Sequence, residues 1–427
     1  MTTSPRLREV QHESTPARNV LRRLLPDARM PASFLDVPPT VSAGLGRELD
    51  LLVIGCGGSV GILATEALAR LGPRSVCLVD PARYKPESVL THCSIGADEI
   101  GLPKVEVVGR RLKAAAPRTR ILIFEGPFEA LPIGVAAHAN LWILASDNLR
   151  AELRVSEAAL QLGRPLIQGS VWGPGLIAQV RSLATRPDGA GPCLACGFTQ
   201  TEWEQADAGT IFSCAGSAEP DRAWAPSQIP TRSIAPLCAT AGALVSLEAT
   251  RRLLGIGDPQ ASRQLQICGH DFSTTITPLE RRPDCPLEHR PLRLLPEREE
   301  LGRRTPRELL ERAGYAGSEL HRVTLNLPGR RFAKLTACQC PTHEVLERFV
   351  SIDGSAGRCP RCQQERGIHP FYAMDEVPFA ALGQRLDRSL ASLGAAAPES
   401  VRVRGERGTC LVYRDLPECG IPQELAR

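Results

Sequence analysis

The 427-residue chain has only four lysines against 47 arginines, and aromatic residues make up only 4% of it. Acidic and basic residues are interspersed, and no basic block carries interleaved aromatic residues, so nucleic-acid binding is not indicated. The longest apolar stretch, residues 234–247, is shorter than the ~20 residues of a membrane span. The N-terminal residues are charged and lack an apolar core. We therefore expect no signal peptide, no membrane partner and a cytoplasmic location.

The chain also lacks the GxxxxGK[ST] phosphate loop, so ATPase chemistry at the γ-phosphate is not expected. Cysteine, by contrast, is abundant, with 15 residues, several of them in close pairs. Without a signal peptide, such pairs indicate reduced metal sites rather than disulfide bonds. The heavy use of arginine favours a bacterial source.

A glycine-rich turn, LLVIGCGGSVG, covers residues 51–61. Its first four residues predict a strand buried on both faces. Gly55, Gly57 and Gly58 allow the backbone to approach a phosphate, and the helix predicted to follow points its N-terminus there. The next predicted strand ends at Asp80, whose carboxylate can bind ribose hydroxyls. This pattern predicts a nucleotide site.

An NAD(P) site would be the ordinary interpretation of this turn, but the third glycine of that fingerprint falls at Val60. Three further segments follow in order. Lys104 ends the run GLPK, Asp147 lies in the run WILASDN, and APL at 235–237 precedes an apolar helix predicted to reach Leu254.

Taken together, these segments resemble the ThiF/MoeB/HesA family, the adenylating enzymes of sulfur-carrier and ubiquitin-like proteins, over about residues 45–290. The resemblance implies that Asp80 binds the ribose of ATP, Lys104 faces its phosphates and Asp147 binds Mg²⁺. In this chemistry the C-terminal carboxylate of a protein substrate attacks the α-phosphorus of ATP. The enzyme supplies positioning and charge neutralisation.

The loop after Asp80 departs from the family pattern. The Asn and Arg that usually contact ATP are replaced by Ser88 and Thr91, and the N-terminal arginine motif is not recognisable. Arg83 and Lys85 lie in the altered loop, where they either supply the missing positive charge or are simply solvated. A binding-only pseudoenzyme therefore stays open as an alternative.

Relatives that activate ubiquitin-like proteins capture the acyl group on a cysteine in the loop before the APL helix. Cys214 is the catalytic candidate, since it lies in a polar stretch; an unreactive thiol and a persulfide acceptor are the alternatives. Cys238 is the second choice, because a helix N-terminus would lower its pKa. Apolar neighbours nevertheless predict core packing for Cys238, as for Cys56 and Cys77.

Two groups of closely spaced cysteines predict structural zinc sites, each closed by four protein ligands. In the first, Cys285 falls where the family has its next ligand, and Cys268 with His270 compete as a ligand source. The ligands predicted for the first site are Cys193, Cys196, Cys285 and His289. The ligands predicted for the second site are Cys338, Cys340, Cys359 and Cys362.

The predicted fold class is α/β: a Rossmann-like, mostly parallel sheet forms an adenylating domain with a zinc knuckle, followed by a small zinc-binding α+β domain. A capping box at Thr305 predicts a new helix there. The predicted domains are an N-terminal arm (1–47), the adenylating domain (48–290), a linker (291–304) and the C-terminal domain (305–427).

The predicted function is ATP-dependent adenylation of a ubiquitin-like protein, followed by thioester formation and transfer to a conjugating enzyme, with bacterial antiphage defence as one setting. The alternatives are activation of a sulfur carrier for thiamine or molybdopterin synthesis, and modification of a peptide or RNA. The predicted cofactors are ATP, Mg²⁺ and two structural Zn²⁺ ions. A homodimer is the expected assembly.

Overall fold

Nine strands form one sheet in the order β1-β4-β3-β2-β5-β6-β7-β10-β11. The five central strands from β4 to β6 are parallel, and the pairs at both ends are antiparallel. The strands are β1 Leu7–Glu9, β2 Asp50–Ile54, β3 Ser75–Val79, β4 Arg120–Phe124, β5 Leu141–Leu144, β6 Leu166–Trp172, β7 Ile177–Leu183, β8 Ile211–Ser213, β9 Gln228–Pro230, β10 Arg263–Cys268 and β11 Thr274–Pro278. Strands β8 and β9 pair with each other.

Helices follow most of the parallel strands. They are α1 Gly61–Ala69, α2 Ser88–Thr91, α3 Lys104–Ala115, α4 Ile133–His138, α5 Leu149–Gln161, α6 Gln200–Asp207 and α7 Ala235–Leu253. Short 3₁₀ helices cover Ala97–Glu99, Phe128–Ala130, Gly173–Gly175 and Leu194–Gly197. The predicted α/β fold with a mostly parallel sheet is confirmed.

The computed structural model describes residues 7–10, 49–207, 211–213, 228–230, 233–258, 261–335, 347–352, 362–364 and 366–415. The described chain divides into two units, with the boundary between Pro291 and Leu292 and with residues 132–134 assigned to the second unit. Within the described residues, no helix combines the length and the apolar character needed to cross a membrane.

The strands of the parallel sheet are almost completely buried. Strand β2 is buried at all five positions, and β3 and β4 at four each. Helix α1 is also largely buried, and Gly242 of α7 packs against it: a Cβ at position 242 would lie 2.9 Å from the Val60 carbonyl oxygen. Apolar runs of this kind are expected for strands covered on both faces.

Part of the range predicted as an N-terminal arm belongs to the sheet. Strand β1 lies antiparallel to β4, and Leu7 is only 2% exposed. The rest of that range, residues 11–47, lies outside the described residues.

The second unit contains a five-stranded and a three-stranded sheet, in the orders β12-β19-β18-β13-β17 and β15-β14-β16. Its elements are β12 Arg293–Glu297, α8 Pro306–Arg312, β13 Thr324–Asn326, β14 Arg330–Leu335, β15 Glu347–Ser351, β16 Ile368–Met374, β17 Val377–Pro378, α9 Phe379–Leu382, β18 Ser400–Gly405 and β19 Gly408–Arg414, with 3₁₀ helices at Leu301–Arg303, Gly317–Arg322 and Gly383–Asp387.

Two features of this unit bear on the sequence predictions. The range 291–304, expected to be a linker, contributes β12, which lies parallel to β19 and is anchored by Glu297 through ion pairs with Arg304 and Arg312. The capping box at Thr305 is confirmed, since its side chain and that of Glu308 each accept from the other's backbone N–H.

Candidate nucleotide site

The candidate site lies where the strand order reverses, between β2 and β5. The first crossovers run from β2 through β3 to β4, whereas the later ones run through β5 to β6 on the other side. In open α/β sheets, ligands bind in the crevice at such a switch point, outside the carboxyl ends of the strands. The loops after these ends are joined by hydrogen bonds from Gly55 N to Val79 O and from Ala145 N to Ile54 O, both 2.9 Å.

The glycine-rich turn packs too closely for side chains at two positions. Gly55 has a φ of 72°, and a Cβ there would lie 2.5 Å from the carbonyl oxygen of Ala145. A Cβ on Gly61 would lie 2.1 Å from the carbonyl oxygen of Gly55. The close approach of helix to turn therefore occurs at residue 61, and Val60 is buried against α7 instead. This shift explains why the NAD(P) fingerprint does not fit.

Hydrogen bonds within the turn leave the first amides of the helix available. Gly57 N donates to Asp80 Oδ2 at 3.0 Å, and Gly58 N donates to the Gly55 carbonyl at 3.1 Å. The amides of Ser59 and Val60 find no acceptor among the described residues. Unpaired N–H groups at a helix N-terminus are suited to binding an anion such as a phosphate.

Asp80, the predicted ribose ligand, is 4% exposed and supports the turn. Its second oxygen, Oδ1, accepts from Ala82 N at 3.0 Å. Since each carboxylate oxygen can accept more than one hydrogen bond, these contacts leave capacity for a ribose hydroxyl.

Lys104, the predicted phosphate ligand, lies directly beneath the turn. A Cβ on Gly57 would be only 2.3 Å from the Lys104 Cβ, so the lysine stem occupies the space of the missing side chain. Lys104 begins α3, and its backbone N donates to Ala82 O at 3.0 Å. Its ammonium lies 5.6 Å from the centre of the Tyr84 ring and forms no ion pair within the described part of the chain. A lysine without a carboxylate partner is available to an anionic ligand.

Asp147, the predicted magnesium ligand, follows β5 and is exposed to solvent. Protein groups nevertheless surround it at longer range, so desolvation raises the pKa of its carboxyl, while the Lys104 and Lys85 cations lower it. The next residue, Asn148, caps α5: its Oδ1 accepts from the backbone N of Arg150 at 3.0 Å and of Ala151 at 3.2 Å. This capping role was not predicted, although Asn before an apolar helix is its usual signal.

The altered loop uses its polar residues for internal contacts. Ser88 is buried, and its hydroxyl accepts from Lys85 N at 3.1 Å. Arg83 is committed to Glu125, at 2.8 Å, and to a backbone carbonyl. Lys85 is exposed, and its charge acts on Asp147. Arg83 is therefore engaged with Glu125, whereas Lys85 is exposed and lowers the pKa of Asp147.

His92, which no motif singled out, is also part of this region. It is 7% exposed and packs edge-to-face on Tyr84, with ring centres 5.6 Å apart. Burial, with a smaller contribution from Lys104, lowers its pKa to about 4, so the ring is neutral at physiological pH.

The first predicted set of zinc ligands is brought together in the structure. The ligand atoms of Cys193, Cys196, Cys285 and His289 all lie within 4.8 Å of one another. Cys193 Sγ is 3.7 Å from Cys196 Sγ, 3.6 Å from Cys285 Sγ and 3.6 Å from His289 Nε2. His289 Nδ1 lies 2.7 Å from the Gly191 carbonyl oxygen. A proton on Nδ1 leaves Nε2 free to bind a metal. Cys268 and His270, the competing ligand source, are not part of this group.

The other predicted cysteines divide into two groups. Cys214, Cys338, Cys340 and Cys359 lie outside the described residues, and Cys362 is described and exposed. Cys238 is fully buried in a cluster with Val60 and Ala178, so a carrier tail cannot reach it in this conformation. The inward packing of α7 thus weighs against Cys238, the second choice of acceptor, which stays a prediction.

Comparison with known proteins identifies the family. The model of the ThiF family matches residues 46–287, more than half of the chain. The chain belongs to the ThiF family. The match confirms the predicted resemblance and supports the adenylyltransferase class and the use of ATP.

Individual proteins resemble the chain at low sequence identity. A sulfur carrier protein adenylyltransferase of Thermus thermophilus is 27% identical over 249 residues, which cover 56% of the chain and 82% of the relative. The adenylyltransferase and sulfurtransferase MOCS3 of Drosophila grimshawi is 25% identical over 228 residues, and the chain spans 46% of its length. Among solved structures, E. coli MccB with ATP aligns at 15% identity and a TM-score of 0.44, covering 57% of this chain and 67% of that one.

Proposed function

We propose that this ThiF-family protein adenylates the C-terminal carboxylate of a ubiquitin-like protein. The observation that carries the proposal is the arrangement at the switch point. There, amides at the start of α1 have no acceptor among the described residues, the stem of Lys104 packs against the turn at Gly57, and the solvent-exposed Asp147 follows β5. A triphosphate with its metal ion requires this combination of anion donors, a cation and a hard oxygen ligand.

Each side chain has a role in this proposal. Asp80 holds the ribose while it supports the glycine-rich turn, and Lys104 neutralises phosphate charge. Asp147 holds Mg²⁺, an ion that usually keeps several waters and binds through one or two carboxylates plus the phosphates of the substrate. The solvent access of Asp147 suits such a partly hydrated ion. When bound, Mg²⁺ would neutralise charge on the phosphates.

The reaction is an in-line displacement at the α-phosphorus. A carboxylate oxygen of the carrier forms a bond to this phosphorus, and the bond to the α–β bridging oxygen breaks. The electron pair leaves with pyrophosphate, and the carrier retains AMP as a mixed anhydride. Since no protein nucleophile takes part, the residues act by positioning and by stabilising charge.

Capture of the acyl group on Cys214 is the second step of the proposal. Its thiolate attacks the acyl carbon, the bond to the phosphate oxygen breaks, and AMP leaves. The burial of Cys238 supports Cys214 over that alternative. Transfer to a conjugating enzyme, the homodimer and the antiphage setting rest on the family resemblance.

We also propose that the cluster around Cys193 binds a structural zinc ion. A tetrahedral ion with Zn–S bonds of about 2.3 Å places its sulfur ligands about 3.8 Å apart. The Sγ–Sγ distances of 3.6 and 3.7 Å fit this geometry, and His289 presents Nε2 through its contact with Gly191. Four protein ligands leave no open position, which supports a structural role. The second zinc site, at Cys338, Cys340, Cys359 and Cys362, remains a prediction from the sequence.

Activation of a sulfur carrier is the second candidate function. It is favoured by the T. thermophilus relative, which is named for that activity and is covered over 82% of its length. The adenylation step is the same in both cases. The two functions differ in whether the adenylate is consumed by a cysteine of this chain or by sulfur transfer.

The test is carrier-dependent exchange of labelled pyrophosphate into ATP, with candidate ubiquitin-like and sulfur-carrier proteins as substrates. Lys104→Ala and Asp147→Asn should each reduce exchange about 100-fold or more, because each removes a charge positioned at the phosphates. Lys113→Ala is the matched control: Lys113 lies on the same helix, but its ammonium donates to the Thr119 carbonyl. Wild-type exchange rates in both site variants would overturn the proposal, and no exchange by the wild type with either class of carrier would favour a pseudoenzyme.

A further inference from the structure

Tyr84 lies in the altered loop after β3 and is almost completely buried, with only 1% of the residue exposed. Its backbone is tied to the segment that leads into α3. Tyr84 N donates to Leu102 O at 3.0 Å, and Gly101 N donates to Tyr84 O at 2.8 Å. In the same pairing, Lys104 N donates to Ala82 O at 3.0 Å. These hydrogen bonds fix the backbones of Tyr84 and Lys104 relative to each other.

The side chains of these two residues also meet. The Lys104 ammonium nitrogen lies over the Tyr84 ring, 5.6 Å from its centre. This distance is within about 6 Å, the range in which the negative face of an aromatic ring attracts a cation. The stem of Lys104 is held at Gly57, where its Cβ, Cγ and Cδ occupy the space of the missing side chain. Two contacts therefore restrict the ammonium, the glycine-rich turn along the stem and the ring at the end.

The Tyr84 ring is itself held in place. His92 packs against its edge, with the ring centres 5.6 Å apart and the ring planes at 90°. The Tyr84 hydroxyl, by contrast, is buried and has no hydrogen-bond partner among the described residues. A buried hydroxyl without a partner costs stability. The face of the ring, rather than the hydroxyl, therefore carries the contact with Lys104.

An aromatic face differs from a carboxylate as a partner for a ligand-binding lysine. A carboxylate would compete with an anionic ligand for the ammonium, whereas a neutral ring directs the cation without cancelling its charge. Lys104 forms no ion pair in the part of the chain that the structure describes. A long, flexible side chain also loses less freedom on binding when its direction is already fixed. The ring is thus suited to prepare Lys104 for an anion.

We propose that Tyr84 is a positioning residue for nucleotide binding, and that the face of its buried ring holds the Lys104 ammonium in the direction of the phosphates of ATP. This inference rests on the proposed function, because it takes Lys104 to be the phosphate ligand. Tyr84 makes no bond to the nucleotide and takes no part in the displacement. The inference gives the altered loop a role, which is to orient the cation of the site.

Substitutions at two positions test the proposal. Tyr84→Phe keeps the ring face and removes only the unpaired hydroxyl, whereas Tyr84→Leu keeps an apolar side chain and removes the face. Lys104→Met keeps a stem beside Gly57 and removes the ammonium. Binding of Mg-ATP and of adenosine would be measured by calorimetry or competition for each variant, and for Tyr84→Leu combined with Lys104→Met.

We expect Tyr84→Leu to weaken Mg-ATP binding about five- to thirty-fold, the factor for a partly desolvated cation–π contact. Tyr84→Phe should stay within about two-fold of the wild type, because Phe offers a similar face. Adenosine, which lacks phosphates, should bind both variants as it binds the wild type. In the Lys104→Met background, Tyr84→Leu should have no further effect on ATP binding, because the cation that the ring positions is gone.

Fluorinated phenylalanines at position 84 provide a second measurement, which does not depend on how leucine packs. Fluorine withdraws electrons from the ring face with little change of shape, so ATP affinity should fall with each added fluorine. Constant affinity across this series, an equal loss in Tyr84→Phe and Tyr84→Leu, or an undiminished effect of Tyr84→Leu in the Lys104→Met background would overturn the inference and leave the proposed adenylation intact. A wild type that does not bind ATP would overturn both proposals.

Discussion

The fit between Gly57 and Lys104 leads to a sharp prediction for Gly57→Ala. The added Cβ would lie 2.3 Å from Lys104 Cβ and 2.9 Å from its Cγ and Cδ. Carbon atoms that are not bonded normally approach to about 3.5 Å, so the two Cβ atoms must move apart by about 1.2 Å. The Lys104 Cβ cannot yield easily, because it belongs to the first residue of α3, whose backbone is bonded to Ala82. The glycine-rich turn must therefore move.

That movement should break the bond from Gly57 N to Asp80 and shift the amides at the start of α1. Overpacking of this kind costs about 1–3 kcal/mol, which corresponds to a fall in melting temperature of roughly 2–10 °C. Because Lys104 and the amides lose their mutual alignment, ATP affinity should fall about ten- to a hundred-fold. Calorimetric titration with Mg-ATP and thermal unfolding measure the two effects.

Gly58→Ala is the matched control. Its Cβ would meet the carbonyl oxygens of Ala145 and Gly55, each at 3.3 Å, which shifts of a few tenths of an ångström relieve. The melting temperature of this variant should stay within about 2 °C of the wild type. An unchanged melting temperature and ATP affinity in Gly57→Ala, or a larger loss of stability in Gly58→Ala, would show that the lysine and the turn are not coupled as described.

Three other predictions follow from buried and clustered groups. Burial raises the pKa of Glu152 to about 8, so the folded state favours the neutral carboxyl and the wild type loses stability as the pH rises from 4.5 to about 8. By urea unfolding, the stability of Glu152→Gln relative to the wild type should increase up to about pH 8 and level off above it, and a pH-independent difference would refute this. Cys193→Ser should contain one zinc ion fewer per chain by elemental analysis, with Cys268→Ser as an unaffected control; an unchanged zinc content would rule out the site. A carrier adduct cleaved by thiols should disappear in Cys214→Ala but persist in Cys93→Ala, which removes an exposed thiol; the reverse pattern would identify Cys93 as the acceptor.

Much of the fold could be predicted because its signals are local. The apolar strands, the glycine-rich turn and Asp80 occupy short segments whose residue types restrict the backbone directly. The cysteine pair at Cys193 and Cys196 is likewise local, and apolar neighbours correctly indicated the burial of Cys56 and Cys77. Such features do not depend on distant partners.

The remaining features depend on contacts between residues distant in sequence. The side chain of Lys104 fills the space at Gly57, 47 positions earlier in the chain, and nothing in either segment reports that contact. The low pKa of His92 results from burial and from the Lys104 cation, 12 positions later in the chain. The sequence of strand Arg293–Glu297 looks like that of a linker, because the partner strand, Gly408–Arg414, follows more than 100 residues later. These features required the three-dimensional structure.

The most direct test of the central claim is to identify the products of ATP turnover with the cognate carrier. Attack at the α-phosphorus predicts pyrophosphate and a carrier whose mass increases by one adenylyl group, that is, by AMP less one water. Intact-protein mass spectrometry should detect this product with the Cys214→Ala variant, where the adenylate should accumulate. Both products should be lost in Lys104→Ala and retained in Lys113→Ala. Formation of ADP and phosphate, or of pyrophosphate without any adenylated carrier, would contradict the assignment of this site to carboxylate adenylation.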